Sequence, residues 1–479
     1  MLKNPLLFIY KTVASNSRKH QNFMKKTIFI LLLLISSLLN AQKKIQTLEH
    51  KYIVDSISSK NIQDYRTIKI FLPKNYSEKE KYPTIYTLDG EWMFEPTVSE
   101  SKILMDFDVI PKSIVVGVFH KNRNIDLSMK WNTGEFNKGS MNFFKFLTEE
   151  LIPHIDTNYS TSNFNVLIGH SNSATFNHKV LVQNNQPFKG IVSLSQNLFG
   201  SQLEEYIEFT RQSLNSPVFY FIASGKRDAT PRLESGMKLD SLFKLNINLN
   251  LKTKHILYDA DHNGIAAKGL NNGISHVFSE YQHYNDWNDK LIDSLISNNV
   301  NSIDFIKQHS RKIKKIYGVN FKVNQNDLSL MKSIAENETD IEEVKSYEIK
   351  HFGISEHFYA SYAQFYEYSK IYTKALEYWN IHLNNNYENI TSFFYYRRPI
   401  DLLHKKMNQP KKAIEFAENW KQKIPKFSHY FNLRIASIAL ESNTKRKNGL
   451  RAISEYIKNY KKDFPISLEK AKQIEQKLK

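Results

Sequence analysis

Hydrophobic and polar residues alternate near the start of the chain and then give way to continuous apolar runs. Residues 52–73 alternate and are rich in β-branched side chains, which predicts a half-exposed antiparallel pair of strands. Later apolar runs of about six residues suit strands buried on both faces, and they begin at Tyr82, Ser113, Phe164, Gly190 and Pro217. Helix-period stretches lie between them, notably at 141–155 and 233–245. This alternation predicts an α/β fold with a mostly parallel sheet flanked by helices.

After residue 290 the pattern changes to long amphipathic segments without further buried-strand runs. Three of these segments align on the shared alanines Ala375, Ala413 and Ala452, which are 38 and 39 residues apart. A small residue at a fixed place in paired helices lets backbones approach closely, so we predict three helical hairpins of the tetratricopeptide type. An irregular helical bundle is the alternative. The predicted organisation is an N-terminal extension with a signal peptide over 1–41, an α/β domain over 42–290, a helical connector over 291–350 and helical repeats over 351–479.

The N-terminus has the basic, apolar and small-residue order of a secretory signal peptide. Met24-Lys25-Lys26 precedes an apolar run over 27–39, and Ala41 closes the segment. The run holds about a dozen residues, fewer than the roughly 20 that span a bilayer. We therefore predict a start at Met24, a cleaved signal rather than a stable membrane anchor, and a periplasmic or secreted protein. An uncleaved anchor is the alternative.

The chain has 479 residues, a hydrophobic fraction of 41% and no cysteine. This composition indicates a globular protein without disulfides, thiolate metal sites or thiol nucleophiles. The net charge is +18, of which residues 1–41 supply six basic and no acidic side chains, and residues 401–479 supply 19 basic and 8 acidic ones. Residues 42–400 are therefore nearly neutral. For an exported protein, this distribution favours an acidic substrate, an anionic lipid or an acidic protein partner over nucleic acid.

One segment combines a buried strand with a turn typical of a catalytic serine. An apolar strand leads into Gly-His-Ser-Asn-Ser over 169–173 and then into a helix-compatible stretch. This arrangement exposes a nucleophile on a sharp turn, so the residues two before and two after it must be small. Gly169 meets the first requirement, and Ser173 stands where glycine is usual. We predict Ser171 as the nucleophile and His170 as a packing residue; an ordinary strand-to-helix turn is the alternative.

Candidate partners for Ser171 follow in the chain order of serine, acid and histidine that this scaffold requires. The apolar run from Pro217 ends near Asp228, and a later strand, predicted over 253–258, ends near His262. The carboxyl ends of parallel strands meet at one edge of a sheet, so we expect these side chains to lie close together. His262 would take the serine proton, and Asp228 would hold the imidazole in the correct tautomer.

Two of these roles have competing candidates nearby. They are Asp259, Asp261 and Glu234 for the acid, and His255 and His276 for the base. For the oxyanion hole, we expect one donor to be the backbone N–H of Asn172. The second donor should come from the loop over 88–92, in which Gly90 and Glu91 are the candidates.

A series of motifs carries a resemblance to a known family. The segments are Tyr86–Gly90, Val116–Val118 with Arg123 and Asp126-Leu127, Phe146–Tyr159, Gly169–Ser171 and Phe188–Ser195. In this order they resemble the putative esterase family of α/β-hydrolases, which is similar to esterase D, enterochelin-type siderophore esterases, and feruloyl and acetyl-xylan esterases. The resemblance implies an α/β-hydrolase fold and hydrolysis of a carboxylic ester through an acyl-serine, with Ser171, Asp228 and His262 at the matching positions.

Other chemistries lack the residues they require. The chain has no His-Glu-x-x-His, Gly-x-Gly-x-x-Gly or Gly-Lys-Ser/Thr motif, and we predict neither a cofactor nor a metal. The expected function is that of an exported serine esterase with a small-molecule ester substrate, whose helical repeats are a candidate protein-binding surface. The alternative is a catalytically silent hydrolase-fold scaffold that acts through its repeats.

Overall fold

The computed structural model describes residues 52–479. The predicted signal peptide, the predicted start at Met24 and the first ten residues of the predicted α/β domain lie outside this range. Within it, no helix is both long enough and apolar enough to cross a membrane.

A mixed sheet organises the first half of the described chain. Its strands are β1 (Ile53–Ser59), β2 (Asp64–Phe71), β3 (Tyr82–Thr87), β4 (Ile114–Val118), β5 (Thr161–His170), β6 (Phe188–Leu194), β7 (Val218–Gly225) and β8 (Leu251–Tyr258). They lie in the order β1-β2-β4-β3-β5-β6-β7-β8. β2 pairs antiparallel with β1 and with β4, and all other neighbours run parallel. The predicted mostly parallel sheet is confirmed.

Burial explains why the strands differ in sequence. β1 contains exposed and buried positions, as expected of an edge strand with one wet face. Every residue of β3, β4 and β7 is buried, because helices cover both faces of the sheet there. The continuous apolar runs therefore mark the centre of the sheet, where Ser171 follows β5.

Helices alternate with the strands and flank the sheet. They are α1 (Gly90–Asp106), α2 (Arg123–Asp126), α3 (Lys138–Lys145), α4 (Ile152–Asn158), α5 (Asn172–Leu181), α6 (Gln202–Arg211), α7 (Thr230–Leu245) and α8 (His262–Val277). A π-helical turn over Phe146–Leu151 joins α3 to α4. α8 packs closely on the sheet because Gly190 has no side chain: a Cβ there would lie 2.4 Å from Cγ1 of Val277.

The rest of the described chain is helical, as predicted. The helices are α9 (Asp289–Ser297), α10 (Ser302–Tyr317), α11 (Gln325–Ser333), α12 (Glu338–Phe352), α13 (Phe358–Tyr368), α14 (Tyr372–Asn386), α15 (Phe394–Asp401), α16 (Pro410–Lys423), α17 (Ser428–Glu441), α18 (Arg446–Lys458) and α19 (Leu468–Leu478). The boundary predicted near residue 290 falls at the start of α9.

An aromatic cluster joins the helical region to the sheet. The buried ring of Tyr317, at the end of α10, lies 4.8 Å from the ring of Phe164 in β5 and 5.4 Å from that of Phe278. Its hydroxyl donates to the carbonyl of Val277 at 3.2 Å. The segment predicted as a connector thus packs directly on the α/β core.

The three aligned alanines lie on successive helix pairs. Ala375, Ala413 and Ala452 are buried near the starts of α14, α16 and α18, each of which packs on the helix before it. α17 and α18 approach closely at Gly449, where a Cβ would lie 2.5 Å from that of Ala439. Small residues therefore set these helix–helix distances, and the tetratricopeptide type stays a prediction.

Candidate active site

Ser171 occupies a strained turn between β5 and α5. Its backbone has φ 65° and ψ −121°, a region that non-glycine residues rarely enter. Its N–H donates to the carbonyl of Leu194 at 2.9 Å, which fixes the turn against β6. The strain lifts the hydroxyl out at the carboxyl edge of the sheet, as a nucleophile elbow does.

The two small residues that flank Ser171, Gly169 and Ser173, have different structural roles. A Cβ at Gly169 would lie 2.6 Å from the carbonyl carbon of Ser173, so only glycine fits that position. The hydroxyl of Ser173 accepts the N–H of His170 at 2.9 Å and donates to Oδ2 of Asp89 at 2.6 Å. Serine in place of the usual glycine therefore ties the elbow to the loop after β3.

The structure brings the three residues predicted for the catalytic roles together. Nε2 of His262 lies 2.9 Å from Oγ of Ser171, and Nδ1 of His262 lies 3.0 Å from Oδ1 of Asp228. His262 is the first residue of α8, and Asp228 follows β7. The side chain of Asp228 is only 1% exposed, whereas the imidazole of His262 is 36% exposed. The carboxylate is thus buried behind an imidazole that faces the solvent.

The competing candidates have other partners. Asp259 is exposed and pairs with Arg227, and Asp261 caps α8 by accepting the N–H of Gly264 at 2.8 Å. The remaining side chains bond elsewhere, Glu234 to Lys238, His255 to Ser224, and His276 to the carbonyl of Lys252. None of these contacts involves Ser171.

Ser195 is a fourth member of the cluster that the sequence analysis missed. Its hydroxyl donates to Oδ2 of Asp228 at 2.5 Å and lies 3.0 Å from Nδ1 of His262. Its backbone has a positive φ of 64°, and its N–H donates to the carbonyl of Ala223 at 2.9 Å. A serine just after a buried strand is too common a pattern to reveal this role.

Arg232 also went unnoticed in the sequence. One guanidinium nitrogen donates to the carbonyl of Ser195 at 2.5 Å, and another donates to Oδ1 of Asn172 at 2.9 Å. Burial lowers the pKa of Arg232 from its ordinary value, although the charge of Asp228 opposes that shift. Arg232 thus links two segments: the turn after β6, which contains Ser195, and the start of α5, which contains Asn172.

The predicted oxyanion donors lie at two helix starts. Asn172 opens α5, and Gly90 and Glu91 form the first turn of α1, where N–H groups have no partner within a helix. The residue before α1, Asp89, has a left-handed backbone with φ 54° and accepts the hydroxyl of Ser173. This bond draws the two helix starts together beside the nucleophile.

Asp89 is in turn held by a buried ion pair. Nε of Arg123 lies 2.5 Å from Oδ1 of Asp89 and Nη2 lies 3.0 Å from Oδ2, a bidentate arrangement. The same Nη2 donates to the carbonyl of His170 at 3.2 Å. Arg123 therefore connects the β3 loop to the elbow and leaves part of its side chain exposed at the mouth of the site.

His170 is a buried neighbour of the cluster. Its ring packs edge-on against Trp92 at 5.3 Å, and its Nε2 lies 2.8 Å from the carbonyl of His262. Burial lowers the pKa of His170 to about 4. The ring is thus neutral near pH 7, and its Nε2–H donates to the backbone of His262, which suits the predicted packing role.

The hydroxyl of Ser171 opens into a cleft of about 420 Å³. The cleft is lined by Trp92, Arg123, His170, Ser171, His262 and Asn263. Across residues 52–479, no group of three or more histidine, aspartate or glutamate side chains is arranged to hold a metal ion. Trp131 and Phe199, which are outside this lining, pack on each other at 4.6 Å.

The parallel sheet, the strained serine and the adjacent imidazole define the class as an α/β-hydrolase domain, a class that includes carboxylic ester hydrolases. Residues 59–297, about half of the chain, match the model of the family described as putative esterase. The chain belongs to the putative esterase family, as its motifs predicted.

Comparisons with known proteins find similar chains. A solved structure of an uncharacterised protein from Capnocytophaga ochracea is 19% identical, with a TM-score of 0.59, and the match covers 74% of this chain and all of that one. An IroE-like serine hydrolase from Shewanella oneidensis is 20% identical over 62% of this chain and 99% of that one, with a TM-score of 0.48. The uncharacterized protein YjcH of Bacillus subtilis is 31% identical over 123 residues, 24% of this chain, and the match spans 50% of that protein's length.

Proposed function

We propose that the protein hydrolyses a carboxylic ester through an acyl-serine intermediate on Ser171. The observation that carries the proposal is the 2.9 Å contact between Oγ of Ser171 and Nε2 of His262, made at a strained strand-to-helix turn. A serine hydroxyl is a weak nucleophile until a base accepts its proton, and His262 is placed to do so. The imidazolium that results is stabilised by the buried carboxylate of Asp228.

The reaction proceeds in two halves. Nε2 of His262 takes the proton of Ser171 while Oγ attacks the ester carbonyl, and the oxyanion is bound by the N–H of Asn172 and an N–H of the α1 start. The protonated Nε2 then passes that proton to the leaving alkoxide, which departs as an alcohol. In the second half, His262 takes a proton from water as the oxygen of that water attacks the acyl carbonyl. The bond between the acyl carbon and Oγ of Ser171 then breaks, His262 returns the proton to Oγ, and the carboxylic acid leaves.

The substrate proposed is a small-molecule ester whose acyl or alcohol part binds beside Trp92 and Arg123. The open cleft admits a large group, and these two side chains offer it a flat apolar surface and the exposed part of a guanidinium whose charge Asp89 balances. Solved relatives of this fold include a siderophore hydrolase from Aspergillus nidulans and a ferulic acid esterase. Esters of hydroxamate, catechol or ferulic acid groups are therefore the first compounds to screen.

The proposed location is outside the cytoplasm. The support is the order of basic, apolar and small residues between Met24 and Ala41. Fractionation of cells that produce the protein should place it in the periplasm or medium, with a mature N-terminus near Gln42. Recovery of an intact N-terminus in the cytoplasmic fraction would disprove export.

The proposed activity is tested by replacing Ser171 with alanine. We expect turnover of p-nitrophenyl acetate to fall at least about a thousandfold, because the nucleophile is lost while the fold remains. Ser201→Ala, at an exposed serine on the same edge of the sheet, is the matched control and should retain full turnover. Unchanged turnover in a well-folded Ser171→Ala variant would reject the mechanism, whereas absence of turnover in the folded wild type would favour a scaffold that acts through its helical region.

A further inference from the structure

The loop between α7 and β8 reverses the usual placement of polar and apolar side chains. From residue 245 the sequence reads Leu-Asn-Ile-Asn-Leu-Asn. The side chains of Leu245, Ile247 and Leu249 are 83%, 80% and 82% exposed. Single exposed aliphatic residues are ordinary, but three on one short loop indicate an interaction surface. We call these three side chains the apolar tip.

Two asparagines of this loop, Asn248 and Asn250, face inward. The side-chain amide of Asn248 donates to the carbonyls of Thr210 and Gln212, both at 2.9 Å. That of Asn250 donates to the carbonyl of Leu214 at 2.6 Å. These bonds anchor the loop to the segment after α6. These hydrogen bonds therefore hold the apolar tip outward.

Basic residues flank the apolar tip along the chain and on the segment to which it is anchored. Lys244 precedes it, Lys252 and Lys254 follow it in β8, and Arg211 lies in the segment to which Asn248 is bonded. The acidic neighbours are Asp240, which pairs with Lys244 at 2.7 Å, and Glu208, one turn before Arg211 in α6. The surroundings of the apolar tip are thus net positive.

We propose that this loop docks on the surface of an anionic lipid bilayer, with the apolar tip among the acyl chains and the lysines at the headgroups. An apolar protrusion with a basic rim is the chemistry that binds such interfaces. A second copy of the chain fits less well. Three aliphatic side chains supply only a fraction of the roughly 800 Å² per partner that a stable protein interface buries, and Lys252 and Lys254 oppose pairing of two β8 edges.

The location of the loop fixes how the protein would sit on the bilayer. The apolar tip lies just before β8 begins, at the amino edge of the parallel strands, whereas Ser171 follows the carboxyl end of β5. The cleft would face away from the lipid. A water-soluble ester would then reach Ser171 equally well in the docked and free states. The inference does not depend on the proposed activity.

The test uses the full chain with Ile247→Cys, which carries the only thiol because the natural sequence has no cysteine. An environment-sensitive dye is attached there and titrated with vesicles. With phosphatidylglycerol we expect a blue shift, quenching by brominated acyl chains, and weakening of both at high salt. Adding Leu245→Ser and Leu249→Ser should lower the vesicle partition coefficient, taken from the dye titration, by about tenfold or more. Circular dichroism verifies that each variant is folded.

The matched control is the same dye at Ser201→Cys, at the opposite end of α6. This dye should show neither the shift nor the quenching, even if the apolar run over 27–39 binds the chain to the vesicle. A dye at position 247 that stays in water with phosphatidylglycerol would overturn the inference. So would an equal response at position 201, or a shift that grows with protein concentration without vesicles, which would identify a second copy as the occupant.

Discussion

The hydroxyl of Ser195 closes a ring of hydrogen bonds with the carboxylate of Asp228 and the imidazole of His262. Nδ1–H of His262 can donate to either oxygen atom, and Ser195 donates its own proton to Asp228. Removing the hydroxyl leaves the buried carboxylate with one fewer donor, which costs more than an ordinary hydrogen bond because the acceptor is charged. Ser195 is therefore placed to position the imidazole of His262, the proposed base.

Replacing Ser195 with glycine or alanine separates its two duties. We expect kcat for p-nitrophenyl acetate to fall about tenfold to a hundredfold in both variants, because both lose the hydroxyl. The glycine variant should be more stable than the alanine variant by about 1 kcal/mol of unfolding free energy, since glycine adopts the positive φ freely, whereas alanine keeps the strain that serine carries. Full activity in the glycine variant would show that the hydroxyl has no role in positioning His262.

The carboxylate of Asp228 is predicted to be the acid of the site. Asp228→Asn should keep the fold and lower kcat by about a thousandfold to ten-thousandfold, because an amide can hold His262 in the wrong tautomer. Asp261→Asn is the matched control, because Asp261 accepts the N–H of Gly264 at the start of α8 and an asparagine side chain can accept the same bond. Equal losses in the two variants would contradict the assignment.

At the scale of elements, α5 connects the turn of Ser171 to the core. His178, on this helix, is fully buried, stacks on Tyr206 of α6 at 4.2 Å, and bonds through Nδ1 to the hydroxyl of Tyr220 in β7 at 2.8 Å. Burial, with a smaller contribution from Lys179, lowers the pKa of His178 to about 3. The folded protein thus keeps this imidazole neutral where an unfolded chain would protonate it.

This burial makes stability depend on pH in a known direction. The pKa of His178 is 6.5 in the unfolded chain and about 3 in the folded protein. Between these two values only the unfolded chain binds the proton, so the free energy of unfolding decreases as the pH is lowered. Between pH 6 and 4 we expect the wild type to lose about 1.4 kcal/mol per pH unit more than His178→Gln. Urea unfolding across this range measures the difference. His351→Gln, at an exposed histidine of α12, should leave the slope unchanged.

The sequence predicts elements better than the contacts between them. The apolar runs identified the central strands because strands buried on both faces must be apolar throughout. The chain order of serine, acid and histidine predicted that Ser171, Asp228 and His262 lie close together, as they do in the structure, because parallel strands end at one edge. Ser195 and Arg232 were missed since their contacts depend on how separate loops fold over that edge.

At the scale of the whole molecule, residues 53–479 form one compact unit. The predicted connector packs on β5 through the aromatic cluster around Tyr317, although its sequence only indicated an amphipathic helix. Because of this contact, we expect the helical region to contribute to the free energy of unfolding of the α/β domain. The basic surface of residues 401–479 stays a candidate site for an acidic partner.

Tyr317→Ala tests that contact. The loss of a fully buried aromatic side chain should cost about 3–5 kcal/mol and lower the urea midpoint of the α/β domain as well as that of the helical region. Tyr368→Ala, at an exposed tyrosine of α13, should change stability by less than about 0.5 kcal/mol. If the urea midpoint of either region stayed unchanged in Tyr317→Ala, the two regions would unfold independently.

The central claim is that Ser171 is an activated nucleophile. A fluorophosphonate probe followed by peptide mass spectrometry tests it most directly, because only a serine whose proton is accepted by a base reacts rapidly with such a probe. The account predicts one adduct, on Ser171, that is lost in His262→Ala. A folded protein that stays unlabelled, or that carries its adduct on another serine, would contradict the account.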